Sequence, residues 1–199
     1  VEGMLDKTIK AILTGDQAVI GQIREADDRV DKIYAAIKSY MSRLSQQSLD
    51  PDEADRYMQI LTFSTNLEHI GDIIEKSMME LATKKDRKKE HFSEEGAKEI
   101  QDFHDSVLEN MKLAQAIFMS EDSKLAAELV AKKHDIRIAA DQTSERHFKR
   151  LSEGVPQTLA TSSLHLDIIR DYRRINSYAT RLAYAILEKK GVPLPGASS

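Results

Sequence analysis

The sequence predicts an all-α protein made of two tandem three-helix bundles, and three observations carry that expectation. Helix breakers are sparse, 8 Gly and 4 Pro in 199 residues, while 31% of the residues are charged, a balance that favours long amphipathic helices over sheets. Apolar side chains return at steps of three and four over stretches near thirty residues, which is helical spacing. The order short, long, long then occurs twice, as expected of two units that each lack enough core to stand alone.

The elements follow in order from their punctuation. A first helix runs to about Leu13 and stops at Thr14-Gly15. Asp16 caps a second through about Gln47, with Ile20, Ile23, Val30, Ile33, Ile37, Met41 and Leu44 along its apolar stripe. Asp50-Pro51 opens the third, Asp able to cap and Pro suited to a first turn. Its seam is Ile60, Ser64, Leu67, Gly71, Ile74, Met78 and Leu81, where Ser64 and Gly71 would let a partner backbone come close. The run Lys84-Lys85-Asp86-Arg87-Lys88-Lys89 reads as an exposed connector. Contact of that run with anionic lipid is the less favoured reading. Ser93 caps a fourth helix ending near Met119, with Glu94 and Glu95 favourable in its first turn. A fifth follows Ser120-Glu121-Asp122 to about Leu151. Gly154-Val155-Pro156 separates it from a sixth with the seam Ile168, Tyr172, Ile175, Ala179, Leu182 and Ile186. Rods of this length are roughly 45 Å long, so an elongated bundle is expected.

The repeat has a nearly constant register. Ile12 to Asp16 lines up with Phe118 to Asp122 at a shift of 106, Asp27-x-x-Val30 with Asp135-x-x-Ile138 at 108, and His69-Ile70-Gly71 with Arg174-Ile175-Asn176 at 105. The expected division is therefore a first repeat over 1–84, a connector over 85–92, a second repeat over 93–190 and a flexible tail over 191–199. One irregular six-helix bundle with chance echoes is the alternative.

Composition excludes much chemistry. A net charge of −4 gives no basic field for nucleic acid. The absence of Cys removes disulfides, thiolate metal sites and cysteine nucleophiles. There is no Gly-x-Ser-x-Gly elbow and no Gly-x-x-x-x-Gly-Lys loop. None of the six histidines follows a glutamate by three, as a ferritin-like di-iron bundle requires. No stretch approaches the roughly 20 apolar residues of a membrane span, and no signal peptide is evident. The opening at Val1 and the closing Pro- and Ser-containing segment read as those of a piece cut from a longer chain.

What remains are carboxylates four apart on one helix face: Asp27 with Asp31, Glu68 with Asp72, and Asp167 with Asp171. Such pairs can offer oxygens to hard cations, but roughly five or six arise by chance at this acid content, so position must decide. Asp27 lies between Ile23 and Val30, and Glu68 and Asp72 adjoin Leu67 and Gly71. Acids at a seam edge must be paired, protonated or metal-bound. Asp171 is flanked by Arg170, Arg173 and Arg174, so its ordinary reading is an ion pair.

The stretch Asn66-Leu67-Glu68-His69-Ile70-Gly71-Asp72 resembles the Leu-Glu-Arg-Ile-Gly-Asp motif of PhoU proteins, phosphate-responsive regulators of two three-helix repeats. Asp27-x-x-Val30-Asp31-x-Ile33 is similar to the acidic motif on the preceding helix of that family, and the likeness extends from about Leu5 to Leu187. The second half departs from it: Tyr172-Arg173-Arg174-Ile175-Asn176-Ser177 has lost both motif acids, and Ala139 stands where Asp31 stands. Leu164 to Asp171, with Arg174 to Ser177 and Ala183 to Glu188, is similar to the PhoU-like tails of bacterial sodium/phosphate cotransporters.

The resemblance implies a non-enzymatic regulatory domain on the cytoplasmic side of the inner membrane, modulating phosphate uptake, with the membrane transport domain of the same polypeptide as partner. It also implies divalent or ferric ions at Asp27, Asp31, Glu68 and Asp72, iron foremost and zinc, magnesium or manganese alternatives. Asp167 and Asp171 share the spacing without the aligned position. The alternatives are a stand-alone PhoU-type regulator with phosphate-signalling partners, a metal-independent domain that forms a homodimer, and, least favoured, a metalloenzyme.

Overall fold

The structure is a computed structural model describing residues 1–194; the end of the expected tail, 195–199, lies outside the described residues. The elements are α1 (Glu2–Thr14), α2 (Gln17–Leu44), α3 (Pro51–Asp72), a π turn (Ile73–Met78), α4 (Met79–Lys88), α5 (Glu94–Ser120), α6 (Ser123–Ser152), α7 (Pro156–Ala179) and α8 (Arg181–Lys189). There is no strand among the described residues. With α3, the π turn and α4 forming one rod, and α7 and α8 another, the described residues make six rods, as the sequence predicts.

The helix starts have the expected causes. Asp16 accepts from the backbone N–H groups of Ala18 and Val19. Asp122 does the same for Lys124 and Leu125 in the other repeat. Asp50 and Glu53 form a reciprocal capping box behind Pro51, and Ser93 accepts from Gly96. Gly15 takes φ 70°, the left-handed conformation that closes α1.

Within the first repeat α1 packs on α2 and α4, and α2 on α3; within the second, α5, α6 and α7 pack on one another. The repeats meet along α1 against α5 and α3 against α7, so one continuous apolar cluster runs from Met4 to Leu187. Phe63 stacks on Phe118 across this junction, ring centroids 4.4 Å apart. Polar groups cross it as well. The Tyr172 phenol lies 3.1 Å from the Thr8 hydroxyl and 3.2 Å from Nδ1 of His104. Burial pushes the Tyr172 hydroxyl up and the His104 imidazole down.

Three expectations need correction. The Lys84 to Lys89 run is no exposed connector at its start. Helix α4 continues through Lys88 and ends at Lys89, φ 54°, because the Lys85 amine is buried and donates to the Leu13 carbonyl at 3.2 Å, one of the free carbonyls at the end of α1. Helix α2 ends at Leu44, short of Gln47, and Ile33 on its outer half is exposed. At the repeat shift, α1 begins opposite Leu108 of α5, so the first turns of α5 have no counterpart covering that half of α2. Finally, two interruptions were not foreseen: the π turn after Asp72, and the break at Thr180 between α7 and α8. They fall at corresponding places in the two repeats.

Candidate functional site

The acids singled out in the first repeat meet across α2 and α3. Asp27 is 6% exposed and sits against Gly71, where an added Cβ would lie 2.7 Å from its Oδ1. Glycine at that motif position is thus the condition for a carboxylate to lie against the helix. No hydrogen bond or ion pair engages the Asp27 side chain among the described residues. Burial, and then the charges of Asp31, Asp72 and Glu75, push its carboxyl up to about 6, with Lys76 opposing.

The neighbours are more open. Asp31 is exposed one turn along α2. Asp72 accepts from the Lys76 amine at 2.5 Å. Glu75 lies 3.5 Å from Arg24. It was missed in the sequence because the π turn adds a residue per turn after Asp72 and shifts the helical register there. Glu68, one turn before Asp72, has its Oε2 3.0 Å from Nδ1 of His69. The charges of Asp31, Asp72 and Glu75 thus all bear on Asp27.

These are all hard oxygen donors, and a buried carboxylate without a partner fits a cation better than it fits water. No three carboxylate or histidine groups converge as a closed ligand set among the described residues. The donors suit a hard cation; their side chains stand apart.

The pair on α7 is organised differently. Asp171 is fully buried, accepts from the Ser77 hydroxyl at 2.5 Å and from Arg174 at 3.0 Å, and has Arg170 at 3.6 Å. Asp167 is held by Arg170 at 2.6 Å. Helix α7 lies between the repeats, so these two residues, one turn apart, do not share an open face. Guanidinium and hydroxyl groups take the oxygens that a metal would need, and the ion-pair reading fits better there.

A second group was not legible at all. Glu99 on α5, 7% exposed, receives Arg150 through both oxygens, at 3.1 and 2.6 Å, and Arg146 at 2.9 Å. Nε2 of His165 lies 3.2 Å away, without the alignment of a hydrogen bond. Burial alone would raise the Glu99 carboxyl, but His165, Arg150 and Arg146 outweigh it and hold it down at about 2. The His165 ring stacks on that of His147, centroids 4.8 Å apart. Burial, then His165 and Arg150, push His147 down to about 4. Each acid oxygen is matched by a donor, so this is a structural knot.

Comparison with known proteins follows the same outline. The PhoU domain family matches residues 1–81 and 100–186. The chain is 36% identical over 181 residues to the "Putative inorganic phosphate export protein YjbB" of Salmonella typhimurium, covering 91% of this chain and 33% of that protein. The proteins of the same name from Escherichia coli and Shigella flexneri are 34% identical over the same share. The chain thus spans about a third of the length of these relatives. Among solved structures, PhoU from Pseudomonas aeruginosa superposes with a TM-score of 0.86 at 19% identity, over 96% of this chain and 90% of that one, a likeness of fold. Among the described residues no helix is long and apolar enough to cross a membrane.

Proposed function

We propose, from the premise that this chain belongs to the PhoU family, that it is a PhoU-type regulator of phosphate movement and not an enzyme. The observation that carries the reading is the first-repeat cluster, a buried and unpaired Asp27 held against Gly71 and facing Asp31, Asp72 and Glu75. In this reading Asp27, Asp31, Asp72 and Glu75 hold a divalent or ferric cation, which neutralises their mutual repulsion and ties α2 to α3. Glu68, expected at the site from the motif, lies beside it with His69.

A second reading is favoured by the relatives: a regulatory part of a longer phosphate transporter. Their names say phosphate export and their length is about three times the matched stretch. That supports export over the sodium-coupled uptake which the α7 residues resemble. The membrane partner, the inner-membrane location and a homodimer belong to this proposal.

The test has two arms. The purified chain is loaded with manganese or iron, and metal content is compared with that of an Asp31→Ala, Asp72→Ala double variant. Equal content would sink the cation part. Phosphate efflux and uptake are then followed in cells expressing the complete gene with the same substitutions. Flux unchanged in both directions would sink the regulatory reading.

A further inference from the structure

At the shift of 105 that aligns His69-Ile70-Gly71 with Arg174-Ile175-Asn176, Glu68 becomes Arg173, Gly71 becomes Asn176 and Asp72 becomes Ser177. In the second repeat these positions line a cavity of about 350 Å³ between α6, α7 and α8, which also includes Lys133, His134 and Arg137. Ser177, the counterpart of Asp72, thus stands among cations, and among the described residues no carboxylate lines the cavity.

These cations are uncommitted. Arg170 and Arg174, on either side of Arg173, are spent on Asp167 and Asp171. Lys132, beside Lys133, is spent on Glu109. Lys133, Arg137 and Arg173 enter no ion pair among the described residues. The Lys133 amine lies over the Tyr184 ring at 4.7 Å, and Arg137 reaches only Nδ1 of His134, at 3.3 Å. Asn176, 2% exposed, accepts from Asn110 through Oδ1 at 2.9 Å, and its amide hydrogens have no acceptor among the described residues. Three full positive charges around one concavity repel one another unless an anion joins them. Two guanidiniums, an ammonium, a buried amide and a serine hydroxyl are the donors that recognise a tetrahedral oxyanion.

We propose that this cavity binds a phosphate group, either as inorganic phosphate or as the phosphate end of a small nucleotide. It lies in the other repeat from the carboxylate cluster, needs no cation there, and would survive the failure of the regulatory reading.

Calorimetric titration of the full chain, with chelator present and ionic strength fixed, uses potassium phosphate in one arm and adenosine triphosphate in the other. Saturable one-site binding is expected in at least one arm. Arg137→Gln and Arg173→Gln should each weaken it about ten-fold, the loss of one charge-assisted contact. The exposed Lys98→Gln should leave it unchanged. Binding in the phosphate arm assigns the free ion, and binding in the nucleotide arm alone assigns the ester. No saturable heat in either arm up to about 10 mM, an affinity too weak to count as a site, overturns the proposal. So does binding that is undiminished in Arg173→Gln. Both arginines are exposed, so the variants should fold, which circular dichroism checks.

Discussion

Asp27 and Glu99 are buried to nearly the same degree, 6% and 7% exposed, yet one carboxyl rises to about 6 and the other falls to about 2. Burial pushes both the same way. The difference lies in company: Glu99 has two guanidiniums and an imidazole around it, while Asp27 faces Asp31, Asp72 and Glu75. In one repeat a buried acid is used to tie three helices together. In the other it is left in deficit, and the cation proposed above would supply the missing positive charge.

The contrast can be broken most severely at Arg150. Arg150→Ala leaves Glu99 charged and short of its bidentate partner and should cost about 3–5 kcal/mol, as removal of one member of a buried pair does; urea denaturation measures it. A loss well under this would mean that Arg146 and His165 suffice. The stability Glu99 supplies is present above its unfolded value of 4.5 and is lost as pH falls toward about 2.

Asp27→Asn should act in the opposite sense. The Asp27 carboxyl titrates higher in the folded protein than its ordinary 3.8, so ionisation works against the fold as pH rises from near 4, and fully above about 6. Without metal, Asn should therefore stabilise the protein by about 3 kcal/mol at pH 8, a gain that vanishes below pH 4. Thermal melts across this range check it. A destabilised variant at pH 8 in chelator would contradict the deficit, whereas added manganese should reverse the order if the cluster takes a cation.

Gly71→Ala tests the contact itself. A methyl 2.7 Å from Oδ1 of Asp27 must displace the carboxylate, at about 1–2 kcal/mol for an overpacked site. Combining it with Asp27→Ala should remove most of that cost, and additive losses would show that the crowding lies elsewhere. The smallest effects should be equal ones. Asp16→Ala and Asp122→Ala remove matching caps from α2 and α6 and should each lower the melting midpoint by about 2–4 °C. A marked inequality would mean that the repeats do not share their load.

The fold was readable because its signals are local. Asp16, Asp50, Ser93 and Asp122 announce helix starts through bonds to their own first turns, and Pro51 and Pro156 stand where a backbone N–H, which proline lacks, would be idle anyway. Asp27 was legible as an acid lodged between Ile23 and Val30. The Glu99 group was not, because Glu99, Arg146, Arg150 and His165 come from three helices with no spacing to connect them. Lys85 looked solvated because its partner, the Leu13 carbonyl, belongs to a helix ending seventy residues earlier. The π turn left no mark of its own in the apolar pattern, and with it Glu75 escaped notice.

The single apolar cluster shared by both repeats has a practical consequence. A protease admitted to the short link between Lys89 and Ser93 would cut one backbone and free nothing. Phe63 on Phe118, Ser77 on Asp171 and Thr8 on Tyr172 would still join the two pieces. The nicked protein should elute as one particle, and come apart only in denaturant.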